Sequence, residues 1–363
     1  MKNTYKLENK EAISIILIIM INKLILNIPY YIVNLTGTGS LVNLIYIGII
    51  DLILSLVIIK LLEKFQNSDI LDVSYFLAGN KLKNIVGIIS ISLFFLVSFI
   101  TLIDFCNVLH TIYFSNFDTI YIFLFFMIGI LISNLVGIKS ISRTISFLVP
   151  FAIISVIISF FAVWDDFSIQ RFTPIFGKDF YTTFGLGFTN SFSMYIIVYY
   201  YFFKPLLANP KDFKKITIIS YLISFTLLFI TVSSMLTLFS TTTNNEPINS
   251  LFLLVRQIEL GKFLQRVDSL FILLWILSIF AYLSFVIFII NRIIKKMTNI
   301  SNEKIISFST CSILLGLALI PINISKIHFI ENVVYKYVIL SFIFGIGLII
   351  LILGNIKKLR GNK

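Results

Sequence analysis

The sequence predicts an all-α integral membrane protein, a single bundle of about ten transmembrane helices. Three observations predict it. First, 58% of the 363 residues are hydrophobic and 13% are charged. That is about half of the roughly 25% charge that a water-facing domain carries. Mean hydropathy is +1.00. Second, apolar runs recur along the whole chain at lengths that cross a hydrocarbon layer about 30 Å thick, which takes roughly 20 residues per helix. Third, Lys and Arg fall in alternating gaps between those runs, as the positive-inside rule requires.

The runs lie at about 12–35, 41–62, 84–112, 119–138, 144–163, 182–203, 215–239, 267–294, 303–323 and 332–356. No polar stretch is long enough for a second domain, so residues 1–363 are expected to form one membrane domain. The polar start, Met1 to Glu11, leads into a run with no small-x-small cleavage pattern, which reads as a first helix and not as a removed signal peptide. With the N-terminus placed inside, inner segments carry such groups as Lys60, Lys64, Lys81 and Lys83, then Lys204, Lys211, Lys214 and Lys215. The inner-to-outer ratio of basic residues is roughly three to one, which puts both termini in the cytoplasm.

The net charge of +12 does not indicate a nucleic-acid partner, because the basic residues flank apolar runs instead of forming one patch. Cys106 and Cys311 lie inside apolar segments and read as buried thiols. His110 and His328 have no metal-ligand spacing around them and read as interfacial polar residues. Gly37-Thr38-Gly39 sits between two apolar runs and reads as a turn, not a phosphate loop. There is no nucleophile–base constellation, so no catalytic activity, cofactor or metal is expected. Residues 248–263 place Leu251, Leu254, Ile258 and Phe263 at near-helical spacing. They form either a short amphipathic helix on the outer face or a structured loop.

Charges at bilayer depth cost about 2.5–3.5 kcal/mol each on insertion scales, so each calls for an explanation. Lys23 falls near the midplane of the first run, Asp51 near that of the second, and Asp104 in the outer part of the third. Two readings stand. A Lys23–Asp51 or Lys23–Asp104 bridge locks helix packing, or Lys23 lines a ligand cavity and meets a carboxylate.

Asn22, Asn27 and Pro29 crowd the first run, and Gly185, Gly187, Thr189, Asn190, Ser191 and Ser193 crowd the sixth. Proline removes a backbone donor and short polar side chains compete for backbone bonds. Both runs are therefore expected to be broken. Five plus five runs, over 12–163 and 182–356, with the first of each half broken, is the pattern of an inverted-repeat transporter. Asn22, Lys23, Asn27, Asp104, Asn190 and Ser191 are the candidate ligand contacts. Small polar residues that serve helix packing are the competing explanation.

Three stretches carry a resemblance. They are Asn27-Ile28-Pro29, the sixth run leading into Lys204-Pro205-Leu206, and above all Pro247 to Trp275. The last holds Arg256-Gln257-Ile258, Gly261-Lys262-Phe263 and Arg266-Val267-Asp268 ahead of Phe271 and Trp275. Together they resemble the spore germination permease family, the B subunits of GerA-type nutrient receptors, within the amino acid–polyamine–organocation superfamily. Asn22-Lys23 stands where that family has glycine.

The resemblance implies a LeuT-like fold and binding of a small nutrient, often an amino acid, in the spore inner membrane. It also implies A-type and C-type receptor subunits as partners. By the same likeness Arg266 and Asp268 are either functional or a structural ion pair at the outer start of the eighth run. The alternatives are a proton-coupled amino-acid secondary transporter, with Asp51 or Asp104 as proton carrier, and an assembly subunit that binds no ligand.

Overall fold

The computed structural model describes residues 5–161, 168–238, 255, 268–298, 300 and 302–361. Among these the chain is helical almost throughout, with no strand beyond one isolated bridge between Leu7 and Leu207. The helices are α1 (Asn9–Ile25), α2 (Ile28–Thr36), α3 (Ser40–Glu63), α4 (Ile70–Ile112), α5 (Thr119–Val136) and α6 (Ile138–Phe161). They continue as α7 (Ile197–Phe203), α8 (Phe213–Leu238), α9 (Asp268–Thr298), α10 (Glu303–Ala318), α11 (Ile324–Val333) and α12 (Leu348–Gly361). The segment 248–263 and the Arg266 pairing fall outside the described residues, apart from Val255.

Seven helices among the described residues are long and apolar enough to cross a membrane: Ile28–Glu63, Ile70–Ile112, Thr119–Val136, Ile138–Phe161, Pro210–Thr237, Leu270–Thr298 and Ser325–Arg360. The exterior matches that reading. Phe125, Phe147, Leu270 and Ile349 are each more than half exposed, which only an apolar solvent tolerates in such number. The chain is a multi-pass membrane protein. The other three apolar runs do not form continuous helices of that length. Run 12–35 is split into α1 and α2, run 182–203 is irregular over its first half, and α10 in run 303–323 is 16 residues long.

Local sequence sets the helix starts. Glu8 and Glu11 form a capping box at α1, with Glu11 Oε2 accepting from the Glu8 backbone N–H at 3.1 Å. Asp69 caps α4 by accepting from the Leu71 and Asp72 N–H groups at 3.1 and 3.2 Å. Gly79, at φ 69°, kinks α4 after its second turn, a left-handed conformation that suits glycine. The long membrane part of α4 begins beyond that kink.

Helix α1 is apolar on every side, and from Ala12 to Ile25 nearly every residue is buried. A helix of that kind belongs at the centre of a bundle. It packs against α6, α8 and α9. The segment leading into it is tied down by Leu7, which donates to Leu206 O and accepts from Ala208 N–H, both at 2.9 Å. Cys106 and Cys311 are buried free thiols, and Gly37–Gly39 is a single 3₁₀ turn joining α2 to α3, as expected.

Candidate functional site

The first run breaks at Leu26 and Asn27. Leu26 has φ −84° and ψ −137°, far from helical, and α2 restarts at Ile28 with Pro29 in its first turn. Proline is tolerated there because the first N–H groups of a helix have no intrahelical acceptor. Pro29 has no N–H to offer the Ile25 carbonyl four residues back, so α1 cannot run on into α2.

Three of the six candidate residues meet at this break. Asn27 Nδ2 donates to Asp104 Oδ2 and to Glu331 Oε2, both at 2.9 Å. The Tyr31 hydroxyl donates to Glu331 Oε2 at 2.8 Å. His328 Nδ1 lies 3.9 Å from both Asp104 Oδ1 and Glu331 Oε2. Lys23, one turn before the break and fully buried, donates to Thr101 Oγ1 at 2.6 Å and to the Tyr335 hydroxyl. Its ammonium also lies over the Tyr335 ring, 4.8 Å from the centroid, and 5.8 Å from that of Tyr195, within range of cation–π attraction.

Neither expected lysine bridge forms within 4 Å among the described residues. Asp104 and Glu331 act on the ammonium from beyond contact distance, while hydroxyl groups and aromatic faces solvate it directly. Asp51 lies elsewhere. It is buried, and the polar side chain set against it is Ser191.

Ser191 and Asn190 belong to a second group. The sixth run opens with a π-helical turn, Tyr181–Gly185, and continues as 3₁₀ helix over Leu186–Met194 before α7. Asn190 Nδ2 donates to Asn43 Oδ1 at 2.8 Å. Asn43 in turn donates to the Thr183 and Gly187 carbonyls at 2.7 and 3.0 Å. The α3 side chain thus satisfies carbonyls that an irregular helix leaves open. A Cβ on Gly187 would overlap the Asn43 amide, so glycine is required for this approach.

Asn22, the remaining candidate, turns to α9. It donates to Ile18 O at 2.7 Å and Ser278 O at 3.1 Å. The Tyr195 hydroxyl donates to Ile19 O at 2.7 Å and ties the two broken runs together.

Six residues of the first cluster are not legible as site residues in the sequence. Tyr31, Thr101, Tyr195, Glu331 and Tyr335 are not among the candidates. His328 was expected at the interface, but it packs between Asp104 and Glu331 with its side chain 15% exposed. The signal was present. His328, Glu331 and Tyr335 are spaced i, i+3 and i+7, one face of a helix. Hydropathy starts the last run after Glu331, whereas α11 starts at Ile324, where Asn323 caps it by accepting from Ser325 N–H at 3.2 Å.

At the end of the bundle where α1 begins, a pocket of about 660 Å³ is lined by Lys6, Lys139, Arg292, Lys295, Lys296 and Glu303 among others. Lys296 bridges Asp69 at 2.5 Å and Asp72 at 2.8 Å. Burial raises the Asp69 carboxyl above its ordinary range, and the Lys296 ammonium opposes that rise. Burial also lowers the Lys6 ammonium, aided by the charges of Arg292 and Lys296. Lys6 donates to Pro205 O at 2.5 Å.

Among the described residues no cluster of three His, Cys, Asp or Glu side chains has the geometry to hold a metal ion. No curated protein matches the chain. The sequence profile of one family, described as spore germination proteins, matches residues 6–327. A match over that span of a multi-pass helical chain is decisive, and the chain belongs to the spore germination permease family.

Proposed function

We propose that this chain is the permease-like, nutrient-sensing subunit of a spore germination receptor, and that it binds a small amino acid near mid-membrane. Family membership supports the germination role. The observation that carries the ligand reading is the fully buried Lys23 ammonium one turn before the break at Leu26–Asn27. An ammonium there costs about 2.5–3.5 kcal/mol on insertion scales, a cost that a role in ligand binding accounts for. Interrupted helices also present backbone groups suited to the charged ends of a small zwitterion.

In this reading the bundle is a LeuT-like 5+5 arrangement of about ten spans, with residues 12–163 and 182–356 as its halves. Runs 12–35, 182–203 and 303–323 supply the three spans beyond the seven continuous helices. Lys23, Asn27 and Asp104 flank the ligand on one side, and Asn22, Asn190 and Ser191 complete its surroundings. Ligand binding favours one arrangement of the bundle over another, and A-type and C-type subunits in the spore inner membrane read the change.

The test is amino-acid-triggered germination of spores carrying Lys23→Ala at normal protein level. The dose response shifts to higher concentration or disappears. An unchanged dose response removes Lys23 from the site.

A further inference from the structure

The pocket where α1 begins holds more positive charge than the acids around it balance. Five cations line it: Lys6 ahead of α1, Lys139 in the first turn of α6, and Arg292, Lys295 and Lys296 near the end of α9. Three carboxylates answer them. Glu303 pairs with Lys295, and Asp69 and Asp72 pair with Lys296 at 2.5 and 2.8 Å. Asp69 also lies 3.8 Å from Arg292. Among the described residues neither Lys6 nor Lys139 forms an ion pair. Lys6 donates to Pro205 O, and Lys139 lies over the Tyr5 ring, 5.7 Å from its centroid. Burial lowers the Lys6 ammonium, and the charges of Arg292 and Lys296 lower it further, as uncompensated like charges do.

A second observation is independent of the charge count. The pocket lies where the apolar helices α5 and α9 end and α6 begins, the level at which a bilayer places its headgroups. Its wall continues into apolar outer surface. Val136, the last residue of α5, lines the pocket and is 66% exposed. Ile306 and Ser307 of α10 line it as well, between Ile305 and Phe308, which are 59% and 63% exposed. Helices α5 and α10 pack against each other. A soluble anion uses only the cations of this site, whereas a phospholipid uses the cations and the apolar flank together.

We propose that this pocket binds the phosphate of an anionic phospholipid, with Lys6, Lys139 and Arg292 donating to the phosphate oxygens and the acyl chains lying along α5 and α10. Ammonium and guanidinium groups each offer several N–H donors to a phosphate, and charge on both partners strengthens those bonds. Basic pockets between membrane helices suit such headgroups. The bound phosphate offsets the repulsion between Lys6 and Arg292 and so holds the segment ahead of α1 against α9. The site lies at the opposite end of α1 from the break at Leu26–Asn27, and it stands whether or not an amino acid binds there.

The test is native mass spectrometry of the full chain in detergent, titrated with phosphatidylglycerol and, separately, with phosphatidylcholine. The two lipids share the phosphate, but choline cancels its charge. One phosphatidylglycerol is expected to bind at least about tenfold more tightly than phosphatidylcholine. Lys6→Gln combined with Lys139→Gln weakens that site by about thirtyfold, at about fivefold for each cation beside an anionic headgroup. Lys214→Gln combined with Lys215→Gln removes the same charge from exposed positions at the same end of the bundle, where Asn9 donates to Asp212, and leaves the site unchanged. Lys139→Gln alone, at an exposed position, serves if the pocket double variant does not fold, with a loss of about fivefold. Equal binding of the two lipids overturns the proposal, as does unchanged binding in the pocket variant. An equal loss in both double variants overturns it too, since the attraction is then one of general charge. Displacement of the lipid by inorganic phosphate at the lipid's own concentration also overturns it, and makes the pocket a site for a soluble anion.

Discussion

The side-chain amide of Asn27 donates to Glu331 Oε2 at 2.9 Å, across 304 positions of sequence. The residue at the break in the first span is thereby tied to the last span, and the same amide nitrogen reaches Asp104 on α4. Three elements distant in sequence meet on one nitrogen atom. Movement at the break must alter the surroundings of both carboxylates.

Asn27→Ala removes that donor and leaves two buried acids without their bridge. The expected loss is about 1–3 kcal/mol for the unsatisfied groups. Thermal melting of the purified protein in detergent measures it. Asn27→Asp adds a third carboxylate and is expected to lower the melting temperature further.

Gly187→Ala places a methyl group against the Asn43 amide, which already holds the Thr183 and Gly187 carbonyls. Overpacking of this kind costs about 1–3 kcal/mol. The same variant is expected to weaken ligand response, because the 3₁₀ stretch carrying Asn190 and Ser191 must shift. Melting and germination dose response in parallel separate the two effects.

Lys204→Ala tests the opposite end of the bundle. Lys204 donates to the Leu62 and Phe65 carbonyls, both at 2.6 Å, and so pins the end of α3 beneath the sixth run. The expected cost is about 1.5–3 kcal/mol, the range for bonds to a charged donor. Ligand affinity is expected to stay close to wild type, since no candidate contact lies near. A large loss of affinity with little loss of stability would show that this end takes part in recognition.

Coupled transport is open to direct measurement. A sensing subunit in proteoliposomes is expected to accumulate no amino acid when a pH gradient is applied. Accumulation that depends on the gradient and is abolished by Asp51→Asn would make the chain a secondary transporter. Asp51 lies buried beside Ser191, apart from the lysine cluster.

Much of the plan was legible in the residues, because hydropathy and helix-breaking chemistry are local properties. Pro29 and its two asparagines mark a break, and the structure places one at Leu26–Asn27. The Gly185–Ser193 cluster marks another, and the chain there is π-helical and 3₁₀. Lys23 announced itself as a charge at depth. Its neighbours did not, because Thr101 and Tyr335 are ordinary residues brought to it only by packing. Glu331 was hidden for a different reason. A charged residue at the edge of an apolar run is assigned to the loop, and only the start of α11 at Ile324 draws it inside. The expected pairing of Lys23 with Asp51 failed because shared depth in the membrane does not imply a shared face.

Equilibrium binding of the standard L-amino acids to the purified protein in nanodiscs, in wild type and Lys23→Ala forms of equal stability, bears most directly on the site at the broken first span. Saturable binding by the wild type, weakened at least about tenfold by the substitution, is the result expected if the buried ammonium faces the ligand. Equal affinities in the two forms, or no saturable binding to the wild type, would contradict it.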